Sequence, residues 1–225
     1  MSKNFNVYSV SEENYLKAVF YLQQQDKAVT TNAIAANMKT KPASVTDMLK
    51  KLKTKKMIEY ERYKGVRLTT SGKKTALGII RRHRLWEFFL VNKIGFGWDE
   101  VHEIAEQLEH VQHPLLIEKL DIFLGKPAFD PHGDPIPDED GKMAHVTSVM
   151  LSQLEVGKKG VFSSVGMQTP DLMQMLQHKK LQLGDEVLVL ERFDFDQSME
   201  IEVNQQEKCS LSYKLAGLMM IKEAK

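Results

Sequence analysis

The chain has a single cysteine, Cys209, in 225 residues, so it can form neither an intrachain disulfide nor a thiolate metal cluster. That usage fits a reducing compartment. Also missing is any apolar run approaching the ~20 residues that span a bilayer, and the opening MSKNFNVYSVSEENY has no apolar signal core. A cytoplasmic protein with no membrane association is expected. There is no Gly-rich phosphate loop and no Ser-His-Asp order. The nearest approach to a catalytic motif is His102-Glu103-Ile104-Ala105-Glu106, which has Glu106 where a zincin needs histidine. An enzyme is therefore not expected, and a metalloenzyme is the weaker alternative.

What is present is a globular composition, 42% hydrophobic and 27% charged, long enough for two or three modest domains. The net charge of +1 conceals an asymmetry. Residues 39–84 hold 15 Lys or Arg against Asp47, Glu59 and Glu61, whereas residues 85–225 hold 13 bases against 24 acids. A compact basic block on an otherwise acidic chain is a plausible footprint for phosphate. A solvated lysine-rich face would look the same, so local structure has to decide.

Tyr15, Val19, Phe20 and Leu22 recur at helical spacing after Ser11, a reasonable cap. TTNAIAANM is a short second helix. A turn at Lys39-Thr40-Lys41 then leads to Pro42, favoured in a first helical turn. The third helix buries Val45, Met48, Leu49 and Leu52, leaving Lys41, Pro42, Ala43, Ser44, Asp47, Lys50 and Lys51 toward solvent. MIEYERYKGVRLTT reads as a hairpin turning at Lys64-Gly65. Together these make a winged helix-turn-helix that reads double-stranded DNA with the third helix and with Arg62 and Lys64 of the wing.

Behind it, the segment His83 to His110 places His102, Glu106, Glu109 and His110 on one helical stripe, and His83 and Glu87 as an i, i+4 pair on the preceding helix. The first of these helices follows Ser71 as a cap and stops around Gly95. A further helix runs from Pro114 to Gly125, and its apolar residues suggest homodimerisation. Residues 128–145, rich in proline and glycine, form a connection. Beyond it, short alternating runs and one helix, TPDLMQMLQH, predict a small β-barrel with Met167, Met173 and Met175 as core filling.

His83-Arg84-Leu85 with Glu87, Val101-His102-Glu103 with Glu109-His110, and Pro131-His132-Gly133-Asp134-Pro135-Ile136-Pro137 together resemble the diphtheria toxin repressor family of metal-dependent transcriptional regulators, across essentially the whole chain. The resemblance implies a mainly α fold with a small β part. It divides into a winged helix-turn-helix over 1–75, a helical metal-binding and dimerisation domain over 76–140, and a ferrous-transport-A-like barrel of the Src-homology-3-like type over 146–225. It implies a metal-dependent repressor of metal-uptake genes that binds an operator as a homodimer. A winged-helix regulator of a non-metal ligand is the alternative.

The same resemblance implies a primary site of Asn14, Glu106, Glu109 and His110, and a second of His83, Glu87 and His102 with help from Asp130, His132 and Asp171. Iron-sensing members carry Cys at Glu106 and Met at Asn14, whereas manganese-sensing members carry Glu and Asp. Short manganese regulators have Glu where Lys17 stands, and some barrel-containing ones have Cys where Asp130 stands. Carboxylates and imidazoles suit Mn2+ and, second, Fe2+, although Zn2+ or Co2+ can bind such donors in vitro.

Overall fold

The computed structural model describes residues 8–25, 28–61, 63–145, 147–167 and 169–223. They divide into two compact units. One comprises the described residues up to His83 with Glu106–Phe123 and Pro137–Lys142, the other Arg84–Ala105, Leu124–Ile136 and the residues from Met143 onward.

In the first unit, α1 (Val10–Gln23) opens at Ser9, two residues before the expected cap. Ser9 Oγ accepts from the Glu12 amide at 3.3 Å, and the Glu12 carboxylate accepts from the Ser9 amide at 2.9 Å. This reciprocal box satisfies two otherwise orphaned donors, which Ser11 has no Glu three positions on to do. Helix α2 (Thr31–Asn37) is capped by Thr30, and α3 (Pro42–Thr54) starts with its proline in the first turn. Strands β1 (Ile58–Glu61) and β2 (Gly65–Leu68) pair antiparallel from Ile58 with Leu68 to Glu61 with Gly65. Gly65 has φ +75°, and a Cβ there would stand 2.4 Å from the Val29 carbonyl oxygen. Only glycine lets this hairpin close on Val29, whose carbonyl accepts from the Val66 amide at 2.9 Å. Leu16, Val19, Ile34, Val45, Leu49, Leu52, Ile79 and Ile80 are fully enclosed. Each such side chain contributes roughly 1.5–3 kcal/mol by leaving water, so α1, α3 and the start of α4 (Thr70–Phe89) stand or fall together. Thr69, not Ser71, caps α4, its hydroxyl accepting from the Gly72 amide at 3.1 Å.

In the second unit, α4 runs on into a π-helical turn (Leu90–Ile94) that ends at Gly95 with φ +89°. Helix α5 (Val101–Leu108) begins here and ends in the first unit, where α6 (Pro114–Phe123) follows it. The C-terminal part is a six-stranded antiparallel sheet. Its strands are β3 (Val149–Met150), β4 (Lys159–Val165), β5 (Glu186–Arg192), β6 (Met199–Val203), β7 (Glu207–Leu211) and β8 (Met219–Glu223), in the order β3-β8-β4-β5-β6-β7. Helix α7 (Pro170–His178) is inserted after β4, and a short α8 (Tyr213–Ala216) precedes β8. Among the described residues β3 and β7 remain edges, so the Src-homology-3-like sheet is open where a barrel was expected. Phe162, Val187, Val189, Met199 and Ile201 fill its inner face, and Met173 joins them at 2% exposure. Met167 and Met175, expected in the core, are instead exposed. The fold is thus mainly α with a smaller β part, and none of the described helices is long and apolar enough to cross a membrane.

Candidate metal centre

Two acidic clusters form, one in each unit. In the first, α1 brings Glu13 and Lys17, four apart on one face, and α5 and the residues after it bring Glu106, Glu109 and His110. Lys17 Nζ lies 2.6 Å from Glu106 Oε1 and 2.7 and 2.8 Å from the two Glu109 oxygens. His83 Nδ1 is 2.7 Å from Glu109 Oε2 and 3.9 Å from Glu106 Oε1. Glu13 is buried and takes Arg82 Nη2 at 2.5 Å and His110 Nδ1 at 2.6 Å, while Arg82 Nε donates to the Glu109 carbonyl. His110 Nε2 stands 3.7 Å from Glu109 Oε1. Glu109 is completely buried; burial alone would raise its pKa, but His83 and Lys17 outweigh that and hold it below the usual carboxylate range. Asn14 Oδ1 is buried and makes no hydrogen bond to the described residues.

On the other side of α1, buried Glu12 receives Lys55 at 2.7 Å and Lys51, on α3, at 3.2 Å. Burial opposes ionisation there too, yet Lys55, the Ser9 amide and Lys51 bring its pKa down to about 2. One helix therefore faces both the acidic cluster and the third helix.

In the second cluster, Glu87 of α4 meets Asp130 and His132 of the loop after α6, with ligand atoms of all three within 4.8 Å of one another and all three residues buried. His102 Nδ1 is 3.3 Å from Glu87 Oε1. His132 Nε2 is 2.8 Å from the Trp98 carbonyl oxygen, and its ring stacks on Trp98 at 6.1 Å between centroids. The loop is seated by Gly133, where φ is +82° and a Cβ would stand 1.9 Å from the Ser163 carbonyl oxygen of β4. Asp130 Oδ1 accepts from the His132 and Asp134 amides at 2.8 and 3.0 Å. Burial, then the neighbouring Asp134 and Glu87 carboxylates, push its pKa up to about 7. Burial would lower His132, but Glu87 and Asp130 prevail and raise it. Trp98, His102, Glu103, His132, Thr169 and Met173 line an adjoining cavity of about 290 Å3.

Of the residues read from the sequence, Glu106 of α5 and Glu109 and His110 just after it come together in the first cluster, His83 of α4 adjoins Glu109 there, and Asn14 lies on α1, which supplies Glu13 and Lys17. Glu87, Asp130 and His132 come together in the second cluster, with His102 beside Glu87. Asp171 is exposed in the first turn of α7 and is not in that group. Lys41, Pro42, Ala43, Ser44, Asp47, Lys50, Lys51 and Lys64 are all exposed; Arg62 lies outside the described residues. Sequence reasoning passed over Glu13, Arg82 and Trp98. Glu13 and Lys17 did carry a signal, as an acid and a base four apart beside Asn14.

Three family models match in chain order. Residues 8–66 match the iron dependent repressor N-terminal DNA binding domain, 69–138 the iron dependent repressor metal binding and dimerisation domain, and 149–223 the FeoA domain. The winged unit and clustered oxygen and imidazole donors define a metal-dependent transcriptional regulator, and the chain belongs to the iron-dependent, or diphtheria toxin, repressor family. The iron-dependent repressor IdeR of Mycobacterium leprae (strain TN) is 28% identical over 152 residues, 64% of this chain. The match covers 66% of that relative, just under two thirds of its length. Among solved structures, a manganese-dependent transcriptional repressor in complex with manganese is 29% identical with a TM-score of 0.86, over 95% of this chain and 100% of that one. ScaR with bound Zn2+ is 30% identical with a TM-score of 0.81, over 95% and 99%.

Both clusters offer the donors that such a metal would take. Asp130 Oδ2 and His132 Nδ1 are buried and make no hydrogen bond among the described residues, and the Asp134 and Glu87 carboxylates crowd Asp130 with like charge that a divalent cation would relieve, so the second group fits such an ion. In the first group a lysine ammonium already sits between the two carboxylates, while Asn14 Oδ1, three residues before Lys17 on α1, is buried and similarly unengaged.

Proposed function

We propose that this protein is a metal-responsive repressor that binds a palindromic operator as a homodimer in the cytoplasm and controls metal-uptake genes. Mn2+ is the preferred effector and Fe2+ the second. The observation that carries the reading is the double engagement of α1, held by Glu106, Glu109 and His110 through Lys17 and Glu13 on one side and by Lys51 and Lys55 through Glu12 on the other. Asn14, Glu106, Glu109 and His110 would hold one ion, and Glu87, Asp130 and His132, with His102 beside them, another. A bound divalent ion would supply the positive charge that fixes α1 to α5, and a preference for the DNA-competent arrangement is what makes it an effector.

Glu106 in place of a thiolate keeps the donor set hard, which favours Mn2+. The manganese-dependent neighbours support the same choice. Leu115, Leu116, Ile122 and Phe123 expose an apolar face on α6 that suits a second copy. Lys50 and Lys64 are placed for phosphates, and Ser44, nearer the start of α3, for base edges. The segments 1–75, 76–140 and 146–225 are then reader, sensor and appended sheet. The test is fluorescence anisotropy on a palindromic fragment from a metal-uptake promoter. Mn2+ should tighten binding and a chelator reverse it, with Lys50→Ala and Lys64→Ala each lowering the salt slope by about one. Equal binding with Mn2+ and with chelator would refute the reading.

A further inference from the structure

We infer that Lys17 is a built-in competitor for the first cluster: its ammonium holds the two carboxylates while no metal is bound, and a divalent ion must displace it to reach them. The inference rests on the metal-responsive reading above and adds what sets its threshold. A cation ligated by these oxygens would lie roughly 2.0–2.6 Å from them. Lys17 Nζ lies 2.6–2.8 Å from three of them, one on Glu106 and two on Glu109. The two positions coincide, and like charges that close repel strongly in a buried setting.

The ammonium satisfies the carboxylates but does not use every donor. Asn14 Oδ1 makes no hydrogen bond to the described residues, and His110, held by Glu13 through Nδ1, has Nε2 only 3.7 Å from Glu109. The cluster is thus complete for a lysine and set up for a metal. A lysine suits an exchangeable role because it is a compact, strongly hydrated charge on a flexible stem. Since the metal binds only the fraction of molecules from which Lys17 has withdrawn, its apparent affinity is reduced by that fraction. Lys17 then tunes the metal concentration at which α1 is captured, without touching DNA.

The experiment uses the full chain with His132→Ala, so that the first cluster alone reports, and titrates Mn2+ by calorimetry while following melting temperature. Lys17→Met, similar in length but uncharged, should melt lower than its parent without metal. It should bind Mn2+ at least tenfold tighter and gain more melting temperature on saturation. Lys17→Arg, which keeps a cation, should stay near the parent in affinity. If Lys17→Met is too unstable without metal, Lys17→Gln is titrated in its place with the same expectation. Unchanged or weaker Mn2+ affinity in the uncharged variant, or no first-cluster binding in any of them, would overturn the inference. Tighter Mn2+ binding together with an operator affinity indifferent to metal would instead leave the inference standing and remove the repressor reading.

Discussion

The first cluster sets three carboxylates, Glu13, Glu106 and Glu109, against Lys17 and Arg82, whereas the second sets Glu87, Asp130 and Asp134 around His132 with Arg84 as its nearby cation. Arg84 donates to the Pro135 carbonyl at 2.6 Å and to Asp134 at 3.1 Å, and it approaches Asp130 only to 3.5 Å. The same residue types therefore titrate in opposite directions, Glu109 downward and Asp130 up to about 7. A charge-satisfied cluster gives up one cation to take another. A frustrated one relieves repulsion as it binds, so the second cluster should fill at lower metal concentration.

The largest effect should come from removing the frustrated charge. Asp130→Asn takes away a proposed ligand and should weaken second-cluster Mn2+ binding by about 100-fold or more, since loss of even an outer-sphere partner costs 10–100-fold. The metal-free protein should nevertheless melt higher, because a buried and poorly paired carboxylate has gone. Calorimetry and thermal melting read both. A lower melting temperature with unchanged affinity would break the comparison.

Glu109→Gln should move the metal-free protein the other way. Lys17 and Glu109 have side chains 12% and 0% exposed, and removing the buried partner of such a pair costs about 3–5 kcal/mol, here as an upper range because Lys17 keeps Glu106. At roughly 2–4 °C per kcal/mol for a chain of this size, a fall of about 6–20 °C is expected by scanning calorimetry. A fall under 2 °C would mean that the ammonium contributes little to the cluster.

Acidity should separate the clusters next. Metal ligands must be deprotonated, and Asp130 with its raised pKa is half protonated near neutrality. Second-cluster Mn2+ affinity should therefore fall about tenfold per unit as pH drops below about 7 for each proton displaced. Glu109, with its pKa lowered, stays ionised through that range. The linkage has the opposite sign for folding: a carboxylate raised in the fold costs stability progressively as pH rises from its ordinary 3.8 to its folded value of about 7 and fully above that, so Asp130 itself favours the metal-free protein at pH 6 over pH 8. Identical Mn2+ affinity at those two values would contradict the assigned frustration.

Much of this arrangement was legible as spacing. Pro42 and the Val45, Leu49 and Leu52 stripe mark α3, and the three- and four-residue spacing grouped Glu106, Glu109 and His110 correctly even though α5 ends at Leu108, before the last two. What spacing cannot carry is pairing across the chain. Lys17 meets carboxylates 89 and 92 residues away, and His132 meets Glu87 only because the Gly133 turn seats against β4. The open sheet was illegible for a related reason, since residues alternate in and out alike in an open sheet and a closed barrel. The helix start at Ser9 could have been read, as Ser9 and Glu12 have the spacing of a capping box.

The smallest expected effect concerns a third kind of buried acid. Glu12 is 1% exposed, as buried as Glu13 and Glu109, but its partners Lys51 and Lys55 are 54% and 38% exposed. Its pKa, brought to about 2 from an ordinary 4.5, lies below the unfolded value. The pair's stabilisation is therefore complete above pH 4.5 and disappears as pH falls toward 2. Because the lysines are screened by solvent, the contribution should be about 1–2 kcal/mol, less than the shift alone would give. Glu12→Gln should lower the melting temperature by about 2–8 °C at pH 7 and flatten its decline between pH 4.5 and 2, measured by circular dichroism. It should leave Mn2+ affinity at both clusters unchanged. If it altered that affinity tenfold, Glu12 would belong with the proposed metal-binding groups, and the division of α1 into a side that meets the first cluster and a side that meets α3 would have to be abandoned.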